Sequence, residues 1–212
     1  MKTISRLFLI AGLVSLSACT PSQKSTEVQN VTSENQVIET IMSRRSICKY
    51  KQQPVEQEKL QQILDCGINA PNGQNKQSWE IRVVNTPEYI SELDSLNRSL
   101  ALAKGMDASK IRHASYGAPV MIFIANDPSY DFSQVDCGLL GANMILTAQS
   151  LGLGSCCLGG IARTMKLPEA ESLLKRLELP ENYNLLYAIS FGYPDESPAA
   201  KPRKAEKIKF IE

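Results

Sequence analysis

Four short stretches of the chain combine residue types that can hold a small polar ligand. Ser43-Arg44-Arg45-Ser46 closes an amphipathic segment. Guanidinium groups at such a place either satisfy the last helix carbonyls and the negative dipole end, or grip a phosphate through paired hydrogen bonds. Between Ala70 and Trp79, Asn72, Gln74, Asn75, Gln77 and Ser78 gather beside Pro71 and Gly73. Amides both donate and accept, which suits the edge of a heterocycle such as a flavin pyrimidine ring, although Asn-Gly by itself is simply a good turn former. The stretch Leu151–Gly160 carries four glycines in ten residues, allowing a ligand close to the backbone or serving as a helix cap and tight turn. It is not a dinucleotide fingerprint, because it follows a helical pattern and Cys157 stands where the third glycine belongs. Finally, Lys201-Pro202-Arg203-Lys204 follows a Gly/Pro-rich break at 192–198. A basic tail is ordinarily solvated, and gains meaning only where a phosphate needs a second cationic wall.

The elements that must position these groups follow from periodicity. Val37, Ile38, Ile41 and Met42 share a helical face, as do Leu60, Ile63, Leu64 and Ile68 after Pro54. Ile81–Val84 reads as a short strand, and Pro87 opens a helix through Tyr89, Leu93 and Leu96. Val120–Ile124 is uniformly apolar between Pro119 and Asn126, as a central strand buried on both faces requires, and Leu185–Phe191 is a second such strand. From about 133 to 151 the chain is helical and apolar nearly all round, the pattern of a core or dimer-interface helix. Ile208 and Phe210 alternate with Lys207 and Lys209, which predicts a last strand with one buried face. Helices before, between and after strands, without a regular βαβ repeat, indicate an α+β sandwich rather than a doubly wound sheet.

The chain has 212 residues and a net charge of +1, and 43% of it is hydrophobic. Such a balance provides no field for a polyanion, so no nucleic-acid partner is expected. Lys2 and Arg6 precede the apolar run Leu7–Val14, too short to span a bilayer as a mature helix, and Leu16-Ser17-Ala18-Cys19 resembles a bacterial lipobox. Residues 1–18 are therefore expected to be a lipoprotein signal peptide, with Cys19 lipidated. Without Lys2 and Arg6 the charge falls to about −1, so the lipid alone must anchor the chain at the cell envelope, on the periplasmic side. Residues 19–35 are polar and Ser/Thr-rich and read as a tether, leaving 36–212 as one domain.

Arg44-Arg45-Ser46, the ordered set Ala70-Pro71, Asn75, Gln77 and Trp79, Ala118-Pro119 before the central strand, Leu151-Gly152-Leu153-Gly154-Ser155, and Gly192 and Pro194 followed by Lys201 and Arg203 together resemble the small FMN-dependent nitroreductase family, across essentially all of 36–212. The resemblance implies an α/β/α sandwich around a central mixed or antiparallel sheet, assembled as a domain-swapped homodimer with one FMN in each of two interface sites. It places Arg44, Arg45, Ser46, Lys201 and Arg203 on the phosphate and ribityl chain. Pro71, Asn72, Gly73 and Asn75 would reach in from the partner, and backbone amides of Cys157, Leu158, Gly159 and Gly160 would line the isoalloxazine. No side chain is catalytic in the usual sense, since the flavin carries the hydride chemistry. The implied reaction passes two electrons from NAD(P)H or a membrane redox partner to a nitroaromatic, quinone or related conjugated acceptor. The alternative is a lipid-anchored flavin-binding or electron-relay protein with little turnover.

Two positions depart from the family pattern. Cys48 stands where a cation often supports the reduced flavin, leaving Lys49 or Lys76 as substitutes, and Ser78 replaces a usual proline. His113 is the only histidine, with no ligand partners at suitable spacing, so no metal site is expected. Cys48, Cys66, Cys137, Cys156 and Cys157 form an odd set without a CxxC pair, so at least one thiol is expected to be unpaired. Cys66 and Cys137 are expected to be small buried groups within helices, and a bond between adjacent Cys156 and Cys157 is disfavoured by strand geometry.

Overall fold

The computed structural model describes residues 35–212. The expected signal peptide, the lipidated Cys19 and nearly all of the tether lie outside the described residues. Among the described residues no helix is long and apolar enough to cross a membrane.

The domain opens with α1 (Gln36–Ser43), whose first amides are capped by Asn35 Oδ1, accepting from Val37 N–H at 3.1 Å and Ile38 N–H at 3.4 Å. Then come α2 (Gln57–Ile68), β1 (Trp79–Val84), α3 (Pro87–Ala103), β2 (Val120–Asn126), α4 (Ser133–Ser150), β3 (Gly154–Leu158), α5 (Gly159–Met165), α6 (Glu171–Lys175) and β4 (Asn184–Gly192). The four strands form one antiparallel sheet in the order β1-β2-β4-β3. A single parallel bridge, Ser46 to Ser155, adds the segment after α1 to the outer edge of β3.

Every residue of β2 is buried, as its uninterrupted apolar run predicts for a central strand. Its side chains alternate between two cores. Met121 and Phe123 join Leu93, Ile161, Met165 and Leu173 beneath α3, α5 and α6. Ile122 and Ile124 join Ile63, Leu140, Met144 and Phe191 beneath α2 and α4. Period-2 alternation on a sheet covered on both faces thus produces the α/β/α sandwich. The α4 backbone passes directly over Tyr187, whose hydroxyl donates to Cys137 C=O at 2.6 Å, and a Cβ on Gly141 would collide with that hydroxyl.

Three expectations need correction. Ile208 and Phe210 form no strand. They are 71% and 90% exposed, and among the described residues the tail after Pro194 pairs with none of the four strands. Cys66 is exposed on the outer side of α2, whereas Cys137 is buried as expected. The glycine-rich stretch contains the edge strand β3 and the start of α5 rather than only a cap and turn. Gly152, at φ 74°, turns the chain out of α4, and the strand that follows is too short and too poor in apolar residues to show by pattern.

Apolar surface also remains uncovered. The whole apolar face of α1 is open, with Val37 and Met42 66% and 70% exposed, as are Phe132 and Val135 at the start of α4.

Candidate functional site

The sequence-predicted residues fall into two groups on opposite edges of the sheet. Arg44–Cys48 and Cys157–Gly160 cluster at the β3 edge. The 71–77 loop leads into β1, at the far edge and three inter-strand spacings away, about 14 Å.

At the β3 edge, Ile47 N–H donates to Ser155 C=O at 3.0 Å and pins the segment after α1. Arg45 turns back on the helix end, donating to Met42 C=O at 2.7 Å and Arg44 C=O at 2.8 Å, the capping role open to such a residue. Arg44 instead lies near Cys157, where burial pushes the thiol up and the guanidinium partly offsets it. Cys48 N–H donates to Glu196, and Lys51 N–H and Asp195 N–H bond across to Tyr193 C=O and Lys49 C=O. These contacts route the C-terminal tail past the Arg44–Cys48 segment before it reaches Lys201 and Arg203, both exposed. Lys49 pairs with Asp195 at 3.0 Å, and Lys76 sits over the Tyr130 ring at the other edge, so neither stands free in place of the cation missing at Cys48.

Cys157–Gly160 forms the β3–α5 junction. Cys157, Gly159 and Gly160 are exposed, and a Cβ on Gly159 would meet nothing within 4 Å, so a flat ring can lie against this backbone. The junction borders a cavity of about 720 Å³ whose other walls include Lys104, Arg112, Tyr116 and Arg163. His113 lies between this cavity and a second one of about 660 Å³ on the other side of the 110–117 segment. Its Nδ1 is 3.1 Å from Asp94, which also accepts from Ser115 N–H at 2.9 Å and Ser115 Oγ at 2.8 Å.

At the β1 edge the amide loop is held from beneath by Asp136, a buried carboxylate in the first turn of α4. It accepts from Gly73 N–H at 3.0 Å and from Ser78 Oγ at 3.2 Å, which gives Ser78 a structural role of its own. Asn72 Oδ1 accepts from Gln77 N–H at 3.0 Å, and Gln74, Asn75 and Gln77 all take left-handed backbone angles. This tight fold turns the Gln74, Asn75 and Gln77 side chains outward into solvent. Asp136 and Glu196 were missed by sequence reasoning. Asp136 had a signal, a lone carboxylate within an apolar helix, whereas Glu196 is an ordinary surface residue until the tail folds back on Cys48.

The nitroreductase family matches residues 41–193. The chain belongs to the nitroreductase family. Among its relatives, an NADPH-flavin oxidoreductase of Vibrio harveyi is 30% identical over 181 residues, covering 80% of this chain and 70% of the relative. A nitroreductase with bound FMN from Bacteroides fragilis superposes with a TM-score of 0.74 at 29% identity, over 84% of this chain and all of the other. One from Desulfitobacterium hafniense, also with bound FMN, gives 0.75 at 30% identity, over 84% and 99%. The antiparallel sheet flanked by helices on both faces is the nitroreductase fold.

Proposed function

We propose that this nitroreductase-family chain is an FMN-dependent oxidoreductase that passes two electrons from NAD(P)H, or from a redox partner, to a nitroaromatic, quinone or related conjugated acceptor. The observation that carries the reading is the exposed backbone of the Cys157–Gly160 junction beside Arg44 at the sheet edge, on the segment to which Glu196 ties the start of the C-terminal tail. This donor set fits FMN. Guanidinium and ammonium groups suit its phosphate, and an unobstructed glycine backbone suits a flat ring with polar edges.

FMN, when bound, supplies the hydride chemistry. The chain contributes binding and orientation. Arg44, Ser46, Lys201 and Arg203 hold the phosphate and ribityl end, and Arg45 joins them by exchanging its helix-end carbonyls for phosphate oxygens. Amides of the Cys157–Gly160 junction orient the ring edge. The cavity of about 720 Å³ beside that junction gives donor and acceptor alternating access to one place, so ping-pong kinetics follow.

The amide loop stands too far from this edge to serve the same ligand, and its support is for a homodimer in which Pro71, Asn72, Gly73 and Asn75 of one protomer complete the site of the other. The exposed apolar face of α1 and the exposed Ile208, Phe210 and Ile211 support the same assembly, because such surface is normally covered. The lipobox-like Leu16–Cys19 supports a lipid-anchored location on the periplasmic side of the cell envelope. There a membrane redox partner becomes the natural donor.

Purified protein titrated with FMN and riboflavin tests the cofactor assignment: FMN binds more tightly, and equal affinities overturn it. Addition of NADH, NADPH and quinols to the holoprotein, followed by its absorption spectrum, identifies the donor. Cys19→Ala releases the protein from the membrane fraction, whereas full-mass, unprocessed protein in the cytosol for both forms removes the anchor. A second reading, a flavin relay with little turnover, is favoured by Cys48 in place of a cation and by the engagement of Lys49 with Asp195. Turnover with a quinone acceptor well above the rate of free FMN decides against it.

A further inference from the structure

The cavity of about 720 Å³ beside the Cys157–Gly160 junction carries charge of one sign. Lys104 at the end of α3, Lys110 and Arg112 in the segment before β2, and Arg163 on α5 all border it, and no carboxylate does. Leu100, Leu158, Ile161 and Leu167 give it apolar wall. Asp94 borders the other cavity, across the 110–117 segment, and is already engaged by Ser115 N–H, Ser115 Oγ and His113 Nδ1 at 2.9, 2.8 and 3.1 Å.

The arginines divide in the same way. Arg45, Arg82, Arg98 and Arg176 donate to carbonyls or carboxylates, whereas among the described residues Arg44, Arg112, Arg163 and Arg203 make no side-chain hydrogen bond or ion pair. Arg44 and Arg203 are taken up by the phosphate in the reading above. Arg112 and Arg163 are left for whatever enters the cavity. A Cβ added at Gly160 would meet Arg163 Nη2 at 3.8 Å, so this guanidinium stands against the Gly160 backbone.

We propose that Arg163 and Arg112 make the cavity selective for conjugated acceptors that carry an anionic group, a carboxylate or a sulfonate, on the ring. The apolar wall takes the flat body, and an unpaired guanidinium takes the anionic group through paired, charge-assisted hydrogen bonds. A cleft lined by one sign of charge also raises the local concentration of such molecules. The charge that develops during reaction points to the acceptor rather than the donor. A nicotinamide that gives up a hydride becomes positive, which Arg163 opposes, whereas an acceptor that receives one gains negative charge, which Arg163 stabilises. A nitroarene, for example, takes up two electrons and two protons, loses one N–O bond, and leaves as the nitroso compound and water with its carboxylate unaltered. The placement of the reacting ring beside Gly160 rests on the FMN reading above; the one-signed cavity does not.

The test uses the full-length holoprotein with its flavin reduced photochemically under argon. It is mixed in a stopped-flow instrument with 4-nitrobenzoate or 4-nitrobenzyl alcohol, which differ in charge and exert nearly the same pull on the nitro group. At low salt the second-order rate constant for flavin reoxidation is expected to be at least about ten-fold larger for the carboxylate, and the advantage to shrink to less than about three-fold at about 0.5 M salt. Arg163→Gln and, to a lesser degree, Arg112→Gln bring the low-salt ratio toward one. Equal rate constants, an advantage indifferent to salt, or a ratio that survives both substitutions overturns the proposal. So does a salt-sensitive advantage of NADPH over NADH in reducing the holoprotein with no discrimination between the two acceptors, because the cations then serve the donor's phosphates. Should either variant fail to fold, the wild-type ratio and its salt dependence decide alone. Calorimetric titration of the protein as purified with 2-naphthoate and with 2-naphthylmethanol reads the cavity without turnover: binding of the carboxylate at least about ten-fold tighter is expected, and equal affinities overturn the proposal. If the protein binds no FMN, the cofactor reading fails while this titration still judges the cavity.

Discussion

The two edges of the sheet hold the two halves of the candidate site in different states of completion. At the β1 edge the amide loop is finished within one chain. Asp136 is buried and satisfied by Gly73 N–H and Ser78 Oγ, Asn72 bonds to Gln77, and the side-chain directions of Gln74, Asn75 and Gln77 are set by left-handed backbone angles. At the β3 edge Arg44 and Arg45 are half-buried, with Arg45 bonded to its own helix end. Among the described residues Lys201 and Arg203 make no ion pair or hydrogen bond, and α1 and the C-terminal tail leave their apolar residues exposed. The first half is preorganised and loses little entropy when a ligand arrives, whereas the second is organised by what binds there, either an anion or a second protomer.

The largest effect is expected where the unfinished edge meets its partner. Replacing both Ile208 and Phe210 by Ser removes two side chains worth about 1.5–3 kcal/mol each when fully buried. The dimer dissociation constant then rises at least a hundred-fold by analytical ultracentrifugation, while the melting temperature of the isolated protomer is unchanged. If the protomer itself is destabilised, the tail belongs to the finished side after all.

Asp136→Ala breaks the finished edge. It strands two donors whose desolvation costs about 1–3 kcal/mol each, so urea unfolding of the apoprotein should lose about 2–4 kcal/mol. Dimerisation through the α1 side is expected to survive. Asp136→Asn, which keeps an acceptor oxygen for Gly73 N–H, is expected to lose less.

Arg44→Ala combined with Arg203→Ala probes the cationic edge without touching its stability. Charge-assisted hydrogen bonds contribute about 1.5–3 kcal/mol each, so FMN affinity falls more than ten-fold while riboflavin affinity holds. Chemical unfolding of the apoprotein is expected to shift by less than about 0.5 kcal/mol, as for surface substitutions generally.

The smallest expected effect is electronic. If FMN occupies the proposed site, Cys48→Arg adds a cation beside it and is expected to raise its two-electron reduction potential by about 30 mV, equivalent to about 1.4 kcal/mol, read by equilibration with a reference dye. A potential that stays level or falls shows that a backbone group already stabilises the reduced state.

Residues whose burial is decided locally were legible in advance. Val120–Ile124 and Leu185–Phe191 are runs long enough to declare a buried strand, and β2 and β4 are the two inner strands of the sheet. The helices beginning at Pro87 and Ser133 likewise follow from spacing and composition. β3 was hidden, because Gly154–Leu158 holds two cysteines, a serine and a glycine and becomes a strand only through pairing with β4. The Lys207–Phe210 alternation has the opposite outcome: its pattern is that of a strand, yet it pairs with none of the four strands and stays exposed. Ser78 looked like the simple loss of a proline until Asp136 supplied its acceptor.

Periodicity, turn residues and the ordered ligand-type motifs by themselves determined the fold class, the core strands and the family, because these depend on contacts between near neighbours and on which face of an element is apolar. Only the tertiary structure decided that Arg45 serves its own helix end, that Glu196 reaches Cys48, and that the amide loop and the Arg44–Cys48 segment stand on opposite edges. Each of those facts depends on which segments, distant along the chain, are brought within a few ångströms, and strand order sets that distance while leaving no trace in local composition.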